Sequence, residues 1–137
     1  MADTMTDVRL RYDHIRLLDD ELTIHAPNEA CGVLIGMKEQ SSIIVEIVLP
    51  IKNSRPSDRS FELDSKEHYE AWNRADEEGM EIVGVYHTHP HSKASPSAWD
   101  RQSMENYQTL WVIIGVDGIN GFEWDGCVKP VEVVEVD

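Results

Sequence analysis

One segment of the 137-residue chain, MEIVGVYHTH at positions 80–89, constrains both the fold and the chemistry. Its β-branched and apolar residues predict a strand that runs directly into two histidines separated by one residue. Because successive side chains of a strand point to opposite faces, His87 and His89 project from one face while Thr88 points away. Asp100 begins the next predicted helix and could return a carboxylate to the same point. Two histidines, a carboxylate and an open position are the donor set of a catalytic zinc site.

The other segments predict a mixed α/β (α+β) architecture in a single domain, 1–137, with a mixed, curved β-sheet flanked by helices. Helices are expected at 9–26, at 66–79 after a cap formed by Asp64 and Ser65, and at about 97–106. Strands are expected at 29–36, 43–50, 60–63, 109–116, 119–124 and 127–136, with a loop at 51–60.

Hydrophobic spacing predicts which face of the first two helices is buried. In the first helix the apolar stripe is expected to comprise Ile15, Leu18, Leu22 and His25. In the second helix Tyr69, Trp72 and Ala75 recur at intervals of three residues and predict an inner stripe.

The charge balance restricts the partners. With 12 basic against 26 acidic residues, the formal net charge is −14. Such a field repels nucleic-acid phosphates, so we expect no nucleic acid as partner. No apolar run approaches the ~20 residues that span a bilayer, so no membrane association is expected. The opening residues MADTMTDVRL lack the basic and apolar regions of a signal peptide, which favours a cytoplasmic protein.

Several histidine-rich and cysteine-based alternatives fit less well. Cys31 and Cys127 form no CxxC motif, and sequence leaves open whether they pair. Cys31 as a nucleophile beside His25 is disfavoured, because a small residue entering an apolar strand is more often part of the core. His91 is expected to be a solvated loop residue, while Trp99 packs against the metal loop or lines a groove. A metal-storage site would carry more histidines and cysteines.

Other sites with two histidines around one residue require different neighbours. The metallo-β-lactamase pattern HxHxDH places aspartate and histidine where this chain has His91 and Ser92. A cupin places glutamate four or five residues after the second histidine, where Lys93 and Ala94 stand. Amidohydrolase barrels need a much longer chain. Ser97 and Asp100 also match a capping box, which by itself would explain both residues structurally.

The segment His87-Thr88-His89-Pro90, followed by Ser97 and Asp100, reproduces H-[S/T]-H-P-x6-S-x2-D without a gap. It resembles the signature of the JAMM (MPN+) zinc metallopeptidases. The family also has an upstream glutamate, and Glu29 in HAPNEACGVLIG occupies that place. The order of helices and strands is similar too, so the resemblance extends over nearly the whole chain. It implies an MPN/JAMM core of the cytidine-deaminase-like kind.

The resemblance assigns a role to each of these residues. It implies one Zn²⁺ per chain, held by His87, His89 and Asp100. Glu29 corresponds to the general acid/base that takes a proton from the attacking water and returns it to the leaving amine. Ser97 corresponds to the donor that stabilises the oxyanion.

The family's substrates imply three functions for this chain. The first is a deubiquitinase-like isopeptidase that hydrolyses the amide bond after the C-terminal Gly-Gly of ubiquitin or a ubiquitin-like modifier. The second is a peptidase that releases cysteine or a precursor peptide from a ubiquitin-like sulfur carrier. The third is a non-catalytic scaffold, which usually lacks one or more of the ligands that are all filled here.

The expected partners are ubiquitin or a ubiquitin-like protein and its conjugates. The glycine tail could lie as an added strand beside residues 51–63. The acidic chain could attract a modifier with a basic face or an arginine before its Gly-Gly end. There is little room for the two insertions and the C-terminal extension of the proteasome-lid deubiquitinase, which favours a free-standing enzyme or a weak homodimer.

Overall fold

A computed structural model describes residues 4–137 and arranges seven strands in a closed barrel with three helices. The strands are β1 (Asp7–Arg11), β2 (Cys31–Glu39), β3 (Ser42–Ile51), β4 (Glu81–Thr88), β5 (Leu110–Gly115), β6 (Gly118–Trp124) and β7 (Val128–Val136). The helices are α1 (Tyr12–Ile24), α2 (Ser65–Glu77) and α3 (Ala98–Asn106).

The sheet is mixed, and its curvature continues until it closes. The strand order is β1-β3-β2-β4-β5-β6-β7, with β7 pairing back to β1. Strand β4 runs antiparallel to β2 and parallel to β5, while β1 runs parallel to both β3 and β7. The predicted mixed, curved sheet with flanking helices is therefore confirmed.

Both faces of the central strands are covered, which explains why β2, β4 and β5 read as nearly continuous apolar runs. On one face, Leu18 of α1 packs in a core that includes Leu34, Tyr86 and Val112. On the other face, Ala71 of α2 and Met104 of α3 pack with strand residues including Val33, Val85 and Trp111. The neighbouring β4 residues Val85 and Tyr86 therefore belong to different cores.

The predicted helix at 9–26 was wrong at its beginning. Residues 7–11 form β1, because Val8 and Leu10 alternate with polar neighbours and are both fully buried. The helix begins at Tyr12 and ends at Ile24. His25 is exposed instead of completing an inner stripe, and the buried positions of α1 are His14, Leu18 and Glu21.

The predicted inner face of α2 was also wrong. Ala71 and Ala75 are buried, whereas Tyr69 and Trp72 are 66% and 60% exposed. Small residues on the inner face allow a helix backbone to approach the sheet closely, so the aromatic residues lie outside.

The predicted short strand at 60–63 reduces to a single bridge between Asn53 and Leu63. Phe61 within this segment is nevertheless buried. The two cysteines do not pair: Cys31 is buried, Cys127 is exposed, and both are free. None of the helices within residues 4–137 is long and apolar enough to cross a membrane.

Candidate metal centre

Three side chains converge at the end of β4. His87 Nε2 lies 3.1 Å from His89 Nε2 and 3.0 Å from Asp100 Oδ1. His89 Nε2 lies 2.9 Å from Asp100 Oδ2. All three residues are buried, and each offers a ligand atom within 4.8 Å of the others. The structure thus brings together the two histidines and the aspartate that the motif predicted, in a group that could hold a metal ion.

Backbone pairing fixes the two histidines. His87 lies in β4 between its neighbours on β2 and β5. His89 directly follows the strand, and its N–H donates to the carbonyl of Ile114 at 2.7 Å. Thr88 points to the opposite face, where its Oγ1 accepts from the N–H of Ala30 at 2.8 Å. The predicted alternation of these three residues is confirmed.

The hydrogen bonds of His89 require a proton or a metal ion at its Nε2 atom. His89 Nδ1 lies 2.9 Å from the carbonyl oxygen of Lys93, which can only accept, so Nδ1 carries a proton. In the neutral ring Nε2 then presents a lone pair to the carboxylate of Asp100. Two acceptors at 2.9 Å repel each other unless a proton or a metal ion lies between them. The donor set therefore fits a metal ion.

The loop before α3 is fixed by contacts with the hairpin that β5 and β6 form. The N–H of Ala94 donates to Asp117 Oδ1 at 2.8 Å, and Asn120 Nδ2 donates to the Ala94 carbonyl at 2.9 Å. A side chain at Gly115 would collide with the backbone of Lys93 and Ala94. The close approach that glycine permits holds the Lys93 carbonyl against His89.

Ser97 caps α3 and bonds reciprocally with Asp100. Ser97 Oγ accepts from the Asp100 N–H at 3.0 Å, and Asp100 Oδ2 accepts from the Ser97 N–H at 2.9 Å. The capping box expected from sequence is therefore confirmed. Ser97 is exposed, and this bond uses its oxygen as an acceptor, so its hydroxyl proton remains available to a ligand.

Burial and hydrogen bonding shift the pKa values of His87, His89 and Asp100 in different directions. Burial lowers the pKa of His87. Burial would also lower the pKa of His89, but hydrogen bonds with Asp100 and the Lys93 carbonyl raise it. For Asp100, burial is opposed by hydrogen bonds with both histidines, which hold the pKa well below its usual value. Asp100 is therefore a carboxylate, the form that binds a cation.

Glu29 lies just before β2 with its side chain buried near this cluster. Its Oε1 atom finds no hydrogen-bond partner within residues 4–137. Burial raises the pKa of Glu29 to about 7, with opposing effects from the nearby charges of His89 and Asp100. A carboxyl group with a pKa near neutrality can both accept and release a proton at physiological pH.

Aromatic residues that the motif does not include complete the surroundings. Phe61 stacks on His87, and Trp111 meets the His87 ring edge-on at 5.8 Å between centroids. Trp99 packs edge-on against Phe61 at 5.2 Å and is 40% exposed. Trp99 also lines an adjoining groove of about 310 Å³. His91 is exposed and lies outside the cluster.

Comparison with known proteins finds a matching family and several relatives of similar sequence. Residues 13–126 match the family described as prokaryotic homologs of the JAB domain. A desampylase of Pyrococcus furiosus is 33% identical over 90 residues, 66% of this chain and 61% of that protein. A CysO-cysteine peptidase of Mycobacterium tuberculosis is 34% identical over 118 residues, 80% of this chain and 79% of that protein.

The fold has a close structural counterpart. The solution structure of a protein from Desulfitobacterium hafniense superposes with a TM-score of 0.87 at 25% identity, covering 95% of this chain and 93% of the other. The matches to the desampylase span less than two thirds of that relative's length. The family match itself extends from α1 to the end of β6, and it confirms the resemblance drawn from the HTHP segment: the chain belongs to the prokaryotic JAB-domain family.

Proposed function

We propose that this chain is a zinc-dependent isopeptidase that hydrolyses the amide bond after the C-terminal Gly-Gly of a ubiquitin-like modifier. One observation carries the proposal: a buried cluster of two imidazoles and a carboxylate lies near the buried carboxyl group of Glu29, whose Oε1 has no hydrogen-bond partner within residues 4–137. The names of the relatives, desampylase and CysO-cysteine peptidase, support this class of reaction.

The donor set favours zinc, with His87, His89 and Asp100 as ligands of one ion per chain. Imidazole nitrogens suit zinc, whereas magnesium and calcium prefer oxygen ligands alone. When bound, zinc supplies Lewis-acid polarisation of the scissile carbonyl and lowers the pKa of water to about 7.

The protein's own residues supply the proton transfers. Glu29 takes a proton from the attacking water while the water oxygen bonds to the carbonyl carbon. The hydroxyl proton of Ser97 stabilises the negative charge that develops on the carbonyl oxygen. When the carbon–nitrogen bond breaks, Glu29 returns the proton to the departing amine. A pKa near 7 suits Glu29 to both halves of this cycle.

The segment 51–63 is the best place for an extended glycine tail. Each strand of the closed barrel has a neighbour along at least part of both sides, which limits the edges open to an added strand. The arms of this segment are joined by the bridge between Asn53 and Leu63 and by backbone hydrogen bonds on either side of it. We infer that the tail would lie alongside these arms and bond to their backbone as an added strand.

A second candidate function is processing of a ubiquitin-like sulfur carrier, because a relative aligned over 80% of this chain is a CysO-cysteine peptidase. Both functions need the same chemistry and differ in the leaving amine. A non-catalytic scaffold is disfavoured because all five motif positions are filled. We also infer a cytoplasmic location, which the two free cysteines support, since disulfides are rare in reducing compartments.

The test supplies the enzyme with zinc and follows the masses of two substrates by mass spectrometry. One is a ubiquitin-like protein joined through its Gly-Gly end to a lysine side chain, and the other is a sulfur carrier with a C-terminal cysteine. Wild type is compared with Glu29→Gln, which keeps the size of the side chain but cannot accept the proton. His91→Ala serves as a control for loss of a nearby histidine outside the cluster.

Loss of the lysine adduct with wild type and His91→Ala, but not with Glu29→Gln, is the expected result. Cleavage of the cysteine adduct alone would favour the second candidate function, processing of a sulfur carrier. Cleavage of neither substrate by zinc-bound wild type would overturn the enzyme proposal in favour of the scaffold.

A further inference from the structure

We propose that Asn53 is a positioning residue that holds Glu29 in place for proton transfer. This inference rests on the proposed role of Glu29. Asn53 lies at the start of the segment that covers the metal centre, outside the HxHP motif. Within residues 4–137, its side chain makes no hydrogen bond with any of the three proposed ligands.

The Asn53 side chain joins Glu29 to both arms of the covering segment. Its Nδ2 donates to the Glu29 carbonyl at 3.1 Å and, at a longer 3.5 Å, to that of Ser60. Its Oδ1 accepts from the N–H groups of Arg55 at 3.1 Å and Glu62 at 3.0 Å. One amide therefore fixes the chain before β2 against residues on either side of the loop.

These partners determine the orientation of the amide. Two carbonyl oxygens face one end of the group, and two N–H groups face the other. A flipped amide would place Oδ1 against the carbonyls and the NH₂ group against the N–H donors. The donor to Glu29 and the acceptor for the loop are thus separate functions of one side chain.

Glu29 depends on this support because few hydrogen bonds hold its carboxyl group in place. Its Oε1 has no hydrogen-bond partner within residues 4–137, so the backbone and packing set the direction of the side chain. That backbone is held by the bond from Asn53 to its carbonyl and by its own N–H, which donates to the Ser57 carbonyl at 2.7 Å. The adjoining Ala30 is held by Thr88. Loss of the Asn53 bond therefore releases one of the two groups that fix Glu29 directly.

The substitution Asn53→Asp separates the two functions of the side chain. Aspartate keeps an acceptor for Arg55 and Glu62 but replaces the donor with an oxygen that repels the Glu29 carbonyl. Asn53→Ala removes both functions. Asn73→Asp introduces the same charge at an exposed position of α2 and serves as the matched control.

Zinc-loaded Asn53→Asp is expected to lose about ten- to a hundredfold in kcat, since small displacements of a reacting group have effects of this size. Its KM should stay within about threefold, and its metal content should equal that of wild type. In a Glu29→Gln background the same substitution should cost less than about twofold, because coupled residues are non-additive. Asn73→Asp should match wild type in both constants.

Hydrogen exchange provides a readout that does not need activity. The Glu29 amide should lose about tenfold in protection in Asn53→Asp, while β5 amides keep theirs and Asn73→Asp resembles wild type. Wild-type kcat in Asn53→Asp, additivity with Glu29→Gln, or unchanged Glu29 protection would each overturn the inference. If wild type cleaved neither substrate, the proposed function would fail. The positioning of Glu29 by Asn53 would then be tested by the protection of the Glu29 amide alone.

Discussion

The ring of Phe61 lies over the imidazole of His87, with centroids 4.7 Å apart and planes inclined by 25°. The contact packs an aromatic ring against the imidazole of a proposed ligand. It also connects the segment that carries Asn53 to the metal centre.

Replacement of Phe61 with leucine should therefore weaken zinc binding as well as stability. We expect the zinc Kd to rise on the order of tenfold, as for loss of groups that orient a ligand, and the stability to fall by about 1 kcal/mol. A competitive chelator titration measures the first effect. Phe122→Leu is the control, because Phe122 is the other phenylalanine of the chain and lies in β6. Equal zinc affinities in the two variants would contradict the expected role of the stack.

Asp100→Asn should strongly weaken zinc binding while preserving the capping box. The amide oxygen can still accept from the Ser97 N–H, but the negative charge is lost. Zinc affinity should fall by more than about 100-fold, since even the loss of supporting partners can cost that much. His91→Ala should retain about one zinc per chain. Metal content after dialysis, determined by elemental analysis, decides the outcome, and a zinc-loaded Asp100→Asn would refute the assignment.

Glu29→Gln should stabilise the metal-free protein at high pH. The folded-state pKa of Glu29 is raised from 4.5 to about 7, so the native state retains a proton that the unfolded chain has released. Wild-type stability therefore falls as the pH rises through this window, whereas neutral glutamine avoids the loss. The gain should be small at about pH 5 and on the order of 1–3 kcal/mol at about pH 8. Urea unfolding with a chelator present measures it, and a gain that did not vary with pH would argue against a buried, titrating Glu29.

Tyr86→Phe should destabilise the fold without touching the metal cluster directly. The Tyr86 hydroxyl donates to Glu21 Oε1 at 2.6 Å in the core on the α1 side of the sheet. Its removal leaves a buried carboxyl oxygen unpaired, at a cost of about 1–3 kcal/mol. Tyr69→Phe, which removes an exposed hydroxyl, should change stability by less than about 0.5 kcal/mol. Denaturant midpoints of the two variants provide the comparison, and equal midpoints would contradict it.

Salt should weaken the binding of a modifier that presents a basic face to this acidic chain. With a net charge of −14, the attraction is screened as the Debye length falls from ~10 Å at about 0.1 M to ~3 Å at about 1 M salt. We expect KM for a conjugate to rise several-fold over this range, with less effect on a short Gly-Gly peptide. Salt-independent KM values for the conjugate would remove charge as a basis of recognition.

The sequence predicted the parts of the site that follow from local rules. Alternation along a strand placed His87 and His89 on one face, and the spacing of Ser97 and Asp100 predicted their reciprocal cap. Strand β1 was missed because its five residues adjoin α1 without a break, so a short alternation merged with the helical pattern. The exposed face of α2 was missed because the spacing of apolar residues does not show how closely the helix packs against the sheet.

Phe61 and Asn53 could not be recognised from sequence for a different reason. Each acts through contacts with residues more than twenty positions away, Phe61 with His87 and Asn53 with Glu29. Such contacts depend on how the loop folds back over β4 and the entrance to β2. The only local signal was the aromatic residue within SFEL, which predicted a strand instead.

The position of β4 in the closed barrel bears on how the site tolerates local opening. The seam between β1 and β7 joins residues from opposite ends of the chain, whereas β4 holds the fourth of the seven places, across the barrel from that seam. Terminal strands are where native proteins usually fray first. Fraying at the seam would leave β2 and β5 paired to β4 on both sides, so the proposed ligands could keep their geometry in a partly opened molecule.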